Sequence, residues 1–151
     1  MAMAGNAHSF MAKIGVIPFA GVVMQTTNRP VLIYDGDCDF CRYWVGRWKP
    51  VTGNRIEYVS SGEAGARFPK ISEEKFAESI QMIASDGSVY DGAEAVFLAL
   101  SCVPGRSRPL ALYRKYRPVA SITEWVYGIV ARNRGVFGWL TRLARRLEPP
   151  A

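Results

Sequence analysis

Four short apolar segments predict β-strands over residues 31–34, 56–59, 80–84 and 88–90. The first, Val31–Tyr34, is apolar throughout and lies between Pro30 and an Asp-Gly turn, which is typical of a buried strand. The last two segments are joined by Asp86-Gly87, a pair that favours the tight turn of a β-hairpin. The pattern therefore predicts a small four-stranded sheet.

Apolar residues also recur at helical spacing between and after these segments. Pro50 is expected to end the first helix, and Ser121–Glu124 has the sequence of a capping box near the start of the fifth. The predicted helices cover residues 39–48, 73–78, 93–102, 110–116, a segment that starts at Pro118, and 136–147. Together, strands and helices predict an α/β domain with flanking helices and an additional helical part at its C-terminal end.

One C-terminal helix carries a continuous apolar stripe formed by Ile122, Trp125, Val126, Ile129 and Val130. Each large apolar side chain contributes about 1.5–3 kcal/mol when it is buried. The stripe is therefore expected to pack against the domain, which would make the C-terminal helices part of the fold.

Cys38 and Cys41 lie at the junction between the first predicted strand and the first predicted helix. A helix N-terminus carries unpaired N–H groups and the positive end of the helix dipole, so it favours a thiolate over a thiol. The thiolate is the nucleophile in disulfide exchange, and Cys41 follows one turn later, where it can attack a mixed disulfide formed at Cys38. Thioredoxin-like proteins present a redox dithiol in this order of strand, turn, Cys-x-x-Cys and helix.

A Cys-x-x-Cys pair also begins many zinc sites, but a structural zinc ion needs four ligands. Outside the pair the sequence offers one further cysteine, Cys102, and one histidine, His8. We therefore expect no metal and no bound organic cofactor. Cys102 has apolar neighbours and is interpreted either as a small buried side chain or as a third redox thiol.

Four residues around the pair are expected to shape the site: Asp35, Gly36, Asp37 and Asp39. Asp and Gly are favoured in turns for backbone reasons, so a turn role and an electrostatic role are both open for the first three. Asp39 complements the helix dipole, yet its charge and those of its neighbours oppose the negative charge of a thiolate. We expect the dipole to prevail modestly, which predicts a reducing couple.

The length of 151 residues, with 49% hydrophobic and 21% charged residues, suits one globular domain. No apolar run approaches the roughly 20 residues of a membrane-spanning helix. We interpret residues 29–151 as a single domain with a C-terminal helical extension. Residues 1–28 are interpreted as a disordered or mis-started N-terminal extension, since Met24 could itself initiate translation.

The net charge of +6 is unevenly distributed. Residues 105–151 contain 10 basic and 2 acidic side chains, a net charge of +8, and residues 1–104 carry the balance of −2. The arginines of the last predicted helix, Arg142, Arg145 and Arg146, either form a solvated face or contact a membrane surface or an acidic partner. Because exposed aromatic residues do not alternate with them, nucleic acid is not expected as a partner.

The stretch Leu32–Cys41 resembles the signature of the DCC family of predicted thiol-disulfide oxidoreductases, named for an Asp-x-Cys-x-x-Cys-type motif. Residues 85–95 and 126–134 resemble two further blocks of that family, and the similarity extends over about residues 29–147. The resemblance implies a thioredoxin-like fold, in which Cys38 is the nucleophile and Cys41 the resolving thiol.

Three positions depart from the patterns of related proteins. Family members often have glycine where this chain has Asp39, and a Ser-Asp or Thr-Asp pair where it has Gly92–Glu94. Thioredoxins place a cis-proline just before the third core strand, opposite the dithiol, whereas Glu78 and Ser79 precede Ile80 here. The redox potential and the mode of substrate docking are therefore expected to differ from those of thioredoxin.

These observations predict a thiol-disulfide oxidoreductase. Its partners would be a disulfide-containing protein or a small-thiol substrate, together with an external thiol reductant. The alternative is a non-catalytic accessory or binding module whose basic C-terminal helices dock a membrane protein or an acidic partner. The expected location is the cytoplasm, with peripheral association with a membrane as a further option.

Overall fold

The computed structural model describes residues 28–69 and 71–147. Its four strands are β1 (Val31–Tyr34), β2 (Glu57–Ser60), β3 (Gln81–Ile83) and β4 (Val89–Asp91). They form one mixed sheet in the order β2-β1-β3-β4. β1 pairs in parallel with β2 and antiparallel with β3, and β3 pairs antiparallel with β4. The predicted four-stranded sheet is confirmed, and its topology is that of a thioredoxin-like fold.

Seven α-helices lie within the described residues. They are α1 (Asp39–Thr52), α2 (Ser61–Arg67), α3 (Glu73–Glu78), α4 (Gly92–Ser101), α5 (Arg108–Lys115), α6 (Arg117–Arg132) and α7 (Arg134–Leu147). The predicted positions of the last five are confirmed to within two residues. The sequence analysis missed α2, because its seven residues are rich in glycine and alanine and show no apolar periodicity.

The sheet has a separate apolar cluster on each face, and β1 contributes to both of them. Val31 and Ile33 pack with Phe76 of α3 on one face. Leu32 packs on the other face with Val45 of α1 and Ala95 of α4. All three β1 residues have no exposed surface, which explains why their sequence is apolar without alternation. The strand that leads to the cysteines is therefore held by apolar contacts on both faces of the sheet.

The prediction that Pro50 ends the first helix was wrong, because α1 continues to Thr52. A proline costs the helix one backbone hydrogen bond. Thr52 is fully buried, donates its hydroxyl to the Trp48 carbonyl at 3.0 Å and lies 2.9 Å from the Tyr58 hydroxyl. These contacts hold the last turn in place, and the helix ends at Gly53, which has a positive φ of 55°.

The predicted capping box at Ser121–Glu124 was also wrong, because this segment lies inside α6. Glu124 caps a different helix. Its carboxylate accepts the N–H groups of Ala93 and Glu94, each at 3.2 Å, at the start of α4. The Tyr113 hydroxyl donates to the same carboxylate at 2.7 Å. The contact at this helix start, which the sequence marked as unusual, is supplied by a carboxylate from α6.

The expected burial of the apolar stripe on α6 was wrong as well. Ile122 is 61% exposed, Trp125 65% and Val126 47%. α6 turns the opposite side to the domain, where the Tyr127 hydroxyl accepts the Ile80 N–H just before β3 and the Glu124 carboxylate accepts an N–H at the start of α4. Helical periodicity identified an apolar face correctly, but the domain packs against the other face.

Within the described segments, no helix has the length and apolar character needed to cross a membrane. Apart from Asn28, the N-terminal extension interpreted over residues 1–28 lies outside the described residues.

Gly92 provides a test of the Glu124 cap. Its φ is 60°, and a Cβ added there would lie 2.6 Å from Oε2 of Glu124. We predict that Gly92→Ala lowers the free energy of unfolding by about 1–3 kcal/mol, because the left-handed conformation alone costs alanine roughly 1–2 kcal/mol.

Gly46→Ala is the matched control, since Gly46 lies inside α1 with no atom within 4 Å of an added Cβ. It should be neutral or stabilising by up to about 1 kcal/mol. Urea denaturation measures both variants, and similar effects from the two would contradict the assignment.

Candidate active site

Cys38 occupies the N-cap position of α1, directly after the loop that follows β1. Its backbone is extended, with φ −85° and ψ 113°, and its carbonyl accepts the N–H of Arg42 at 3.0 Å. The Cys38 Sγ accepts the backbone N–H of Cys41 at 3.3 Å. The sulfur thus takes the place of the side-chain oxygen that usually caps a helix, and it lies where the helix dipole stabilises negative charge.

Cys41 lies in the first turn of α1 and is more protected than a typical reactive thiol. The two cysteines are 2.9 Å apart, and both are free thiols and partly buried. Burial raises the pKa of Cys41, and the hydrogen bond and negative charge of Cys38 raise it further, while Arg134 acts in the opposite direction. Cys41 is therefore held as a thiol beside Cys38.

Asp35 has both a turn role and an electrostatic role, the two options that the sequence left open. One carboxylate oxygen accepts the Asp37 N–H at 2.9 Å and closes the turn. The other lies 3.2 Å from the guanidinium of Arg134, at the start of α7. Both partners of this ion pair are mostly buried. The loop before Cys38 is therefore fixed to the C-terminal helix.

Gly36 is required by a close approach between this loop and the end of β2. A Cβ added at Gly36 would lie 3.1 Å from the Cβ of Ser60, which is tighter than most carbon contacts. Its N–H also faces the Ser61 hydroxyl at 3.4 Å. Asp37, by contrast, is exposed.

Asp39 does not face the dithiol as an uncompensated charge. Its carboxylate forms ion pairs with Arg42, one turn along α1, and with Arg142 of α7. The hydrogen bonds from Arg42 and then from Arg142 lower the pKa of Asp39. Neither arginine was predicted to be part of the site. Arg42 lies only three residues from Asp39, a spacing that was available in the sequence, whereas a sequence does not show that a residue more than 100 positions away, such as Arg142, supplies a counter-charge.

The helix α7 crosses the N-terminal turn of α1. Gly138 is buried at the crossing, and a Cβ there would lie 3.9 Å from the Cβ of Asp39 and 4.0 Å from the Phe40 nitrogen. At the preceding residue of α7, the ring of Phe137 lies 5.9 Å from the ring of Phe40. A Cβ at Gly138 would still meet these atoms at ordinary van der Waals distances, so the approach leaves room for a small residue, and a glycine at a packed position within a predicted helix was the signal available in the sequence.

The backbone that leads into β3 lies beside the dithiol loop, because Gln81 of β3 pairs with Ile33 of β1 in antiparallel register. No peptide bond in the described residues is cis. The Ile80 N–H donates to the Tyr127 hydroxyl at 2.9 Å, and the Glu78 carbonyl accepts a hydrogen bond from Arg134. Side chains of α6 and α7 thus already bind the backbone at the position where thioredoxins have a cis-proline.

Cys102 lies at the C-terminal end of α4 and packs against the apolar cluster that includes Leu32. Its thiol donates to the Leu98 carbonyl at 3.5 Å, and burial raises its pKa. These contacts support the interpretation as a small buried side chain. In the described part of the chain, no group of three or more His, Cys, Asp or Glu side chains is arranged to hold a metal ion.

The sheet topology and a Cys-x-x-Cys pair at the start of α1 define a thioredoxin-like dithiol protein. A family model described as DCC1-like thiol-disulfide oxidoreductase matches residues 32–140, and the chain belongs to this family. The resemblance found in the sequence is therefore confirmed. No curated protein and no solved structure gave a significant match.

The contrast between the two thiols can be tested by alkylation. We predict that iodoacetamide modifies Cys38 before Cys41, because Cys41 is buried and its pKa is raised. In Cys38→Ser, the negative charge that disfavours ionisation of Cys41 is removed, so alkylation of Cys41 should begin at lower pH than in the wild type. Mass spectrometry of peptides across a pH series measures both effects. Faster labelling of Cys41 in the wild type would contradict the assignment.

Proposed function

We propose that the protein is a thiol-disulfide oxidoreductase in which Cys38 attacks the substrate and Cys41 resolves the mixed disulfide. The observation that carries the proposal is the position of the Cys38 sulfur, which caps α1 and accepts the N–H of Cys41. A thiolate there is stabilised by the helix dipole and by a direct hydrogen bond. Membership of a thiol-disulfide oxidoreductase family supports the same chemistry.

The first step is attack of the Cys38 thiolate on a substrate disulfide. One sulfur–sulfur bond of the substrate breaks, a mixed disulfide forms at Cys38, and the leaving thiolate takes a proton from water. Cys38 then no longer carries the negative charge that opposes ionisation of Cys41. The remaining effects are burial and the charge of Asp35, which still disfavour the Cys41 thiolate, and Arg134, which favours it. Cys41 thus becomes more nucleophilic only after the mixed disulfide has formed at Cys38.

In the second step Cys41 loses its proton and attacks the Cys38 sulfur. The second substrate thiol is released, and a disulfide forms between Cys38 and Cys41. Two electrons have passed to the substrate, and an external thiol reductant returns two electrons and two protons to the dithiol. These steps require no metal and no organic cofactor.

Substrate docking must differ from that of thioredoxin. Tyr127 and Arg134 already bind the backbone of Ile80 and Glu78 beside the dithiol. A peptide would have to displace both side chains to pair with this backbone. We infer that the substrate, a disulfide-containing protein or a small disulfide, reaches Cys38 from the solvent side of the loop at Asp37, which is exposed.

A reducing role also fits the cytoplasm, where thiols are kept reduced.

A non-catalytic binding module is the second candidate. The exposed apolar residues and arginines of α6 and α7 favour it, because they are not explained by dithiol chemistry. A redox assay separates the two candidates, since a binding module has no need of Cys38.

Trapping the mixed disulfide tests the catalytic assignment. We predict that Cys41→Ser, incubated with oxidised glutathione, accumulates one glutathione adduct at Cys38, because the resolving step is blocked. Cys38→Ser should show no rapid adduct and should reduce insulin disulfides no faster than the uncatalysed reaction. Cys102→Ser is the control and should behave as the wild type does. Intact-protein mass spectrometry reads the adduct, and insulin reduction by Cys38→Ser at the wild-type rate would reject the proposal.

A further inference from the structure

Two successive helices expose apolar faces that the domain leaves uncovered. On α6, the exposed side chains of Ile122, Trp125 and Val126 follow helical spacing. On α7, the exposed apolar residues also share one face, and they are Val136, Trp139, Leu140 and Leu143. Exposed apolar residues scattered singly need no explanation, but two consecutive stripes with two tryptophans mark an interaction surface.

Both helices are fixed to the domain through their other sides. Glu124 and Tyr127 attach α6 to α4 and β3, and Gly138 packs α7 against α1. An apolar cleft of about 240 Å³ between α4 and α6, lined in part by Phe97, Ile122 and Val126, extends the uncovered surface. The exposed faces therefore belong to a fixed surface of the folded domain.

Basic side chains border the apolar face of α7. Arg142 and Arg146 follow Trp139 at three and seven residues, which puts all three on one side of the helix, and Arg145 is also exposed. Glu124 is the single acidic residue in residues 117–147, which contain six arginines. Its carboxylate is engaged at the start of α4. Arg134 and Arg142 are paired with Asp35 and Asp39, so the positive charge of the surface around the apolar stripes comes from the other four arginines.

The charge decides which partner fits this surface. Two copies of the chain meeting through it would bring together two segments that each carry a net charge of +8 over residues 105–151. An anionic phospholipid bilayer complements both the charge and the apolar stripes. Helices whose apolar face carries Trp and Leu and is bordered by arginines lie in the headgroup region of such bilayers.

We propose that α6 and α7 dock the protein on anionic phospholipid bilayers. Trp125, Trp139 and Leu143 enter the boundary between headgroups and acyl chains, and Arg146 binds the lipid phosphates. Because α7 lies between this surface and the first turn of α1, docking places the dithiol within about one helix diameter, roughly 10–12 Å, of the helix side that faces the bilayer.

Vesicle binding by the full reduced chain tests the proposal without any redox readout. The protein is mixed with vesicles of pure phosphatidylcholine or of phosphatidylcholine with phosphatidylglycerol, and both are sedimented. We predict binding to the anionic vesicles alone, with a blue shift of tryptophan fluorescence and release by high salt. Failure to bind anionic vesicles would overturn the proposal, and so would equal binding to both kinds.

Matched variants locate the surface. Arg146→Gln should lower the partition coefficient roughly fivefold, whereas Arg106→Gln removes the same charge outside α6 and α7 and should have much less effect. Leu143→Ser should weaken binding and Val89→Ser should not, although the two residues are similarly exposed, at 42% and 40%. If the two variants of either pair lost vesicle binding to the same extent, the assignment of the surface would be overturned.

A second copy of the chain is the competing occupant. Light scattering of the wild type should show a monomer in the absence of vesicles. A stable dimer that Leu143→Ser dissociates would overturn lipid docking, because the stripes would then be covered by protein.

Discussion

The site depends on the packing of α7 across the first turn of α1. Gly138 lies buried at the crossing, and the helix brings Arg134 and Arg142 to Asp35 and Asp39, two of the three aspartates near Cys38 in the sequence. Arg134 also binds the Glu78 carbonyl at the entrance to β3. The dithiol loop, the start of α1 and the start of β3 are thereby held by one helix from the far end of the chain.

The two ion pairs matter more for electrostatics than for stability. The pair between Asp39 and Arg142 is exposed, and exposed pairs contribute about 0–1 kcal/mol. Their position next to the Cys38 sulfur gives them another role. Three aspartates surround this cysteine, and without compensation their charges would oppose a thiolate. α7 neutralises two of them and leaves the helix dipole and the Cys41 N–H to stabilise the sulfur.

Local features of the fold were predictable from the sequence, and long-range pairings were not. Val31–Tyr34 and the cysteines after it predicted a buried strand followed by a helix that begins with a dithiol, because burial and turn chemistry are local. Glu124 was interpreted as a local cap, yet it caps a helix 30 residues away. The apolar stripe that includes Trp125 does exist. Helical periodicity shows that one face of a helix is apolar, but it does not show whether the domain covers that face. Asp39 has one local partner, Arg42, but Arg134 and Arg142, which pair with Asp35 and Asp39, came from α7, and no local pattern pointed to them.

The most direct test of this account is the reduction potential of the Cys38–Cys41 pair in the wild type and in Arg142→Gln, titrated against a glutathione buffer. Arg145→Gln, which removes a neighbouring exposed arginine of α7, is the control. The account predicts one two-electron transition in the wild type. Loss of Arg142 leaves the charge of Asp39 less compensated, which disfavours the reduced thiolate form and makes the potential more negative. Because the ion pair between Asp39 and Arg142 is exposed, the shift of the reduction potential should be smaller than the roughly 30 mV that accompanies a tenfold change in the equilibrium constant. A dithiol that shows no transition, or a potential that Arg142→Gln leaves unchanged or makes more positive, would contradict it.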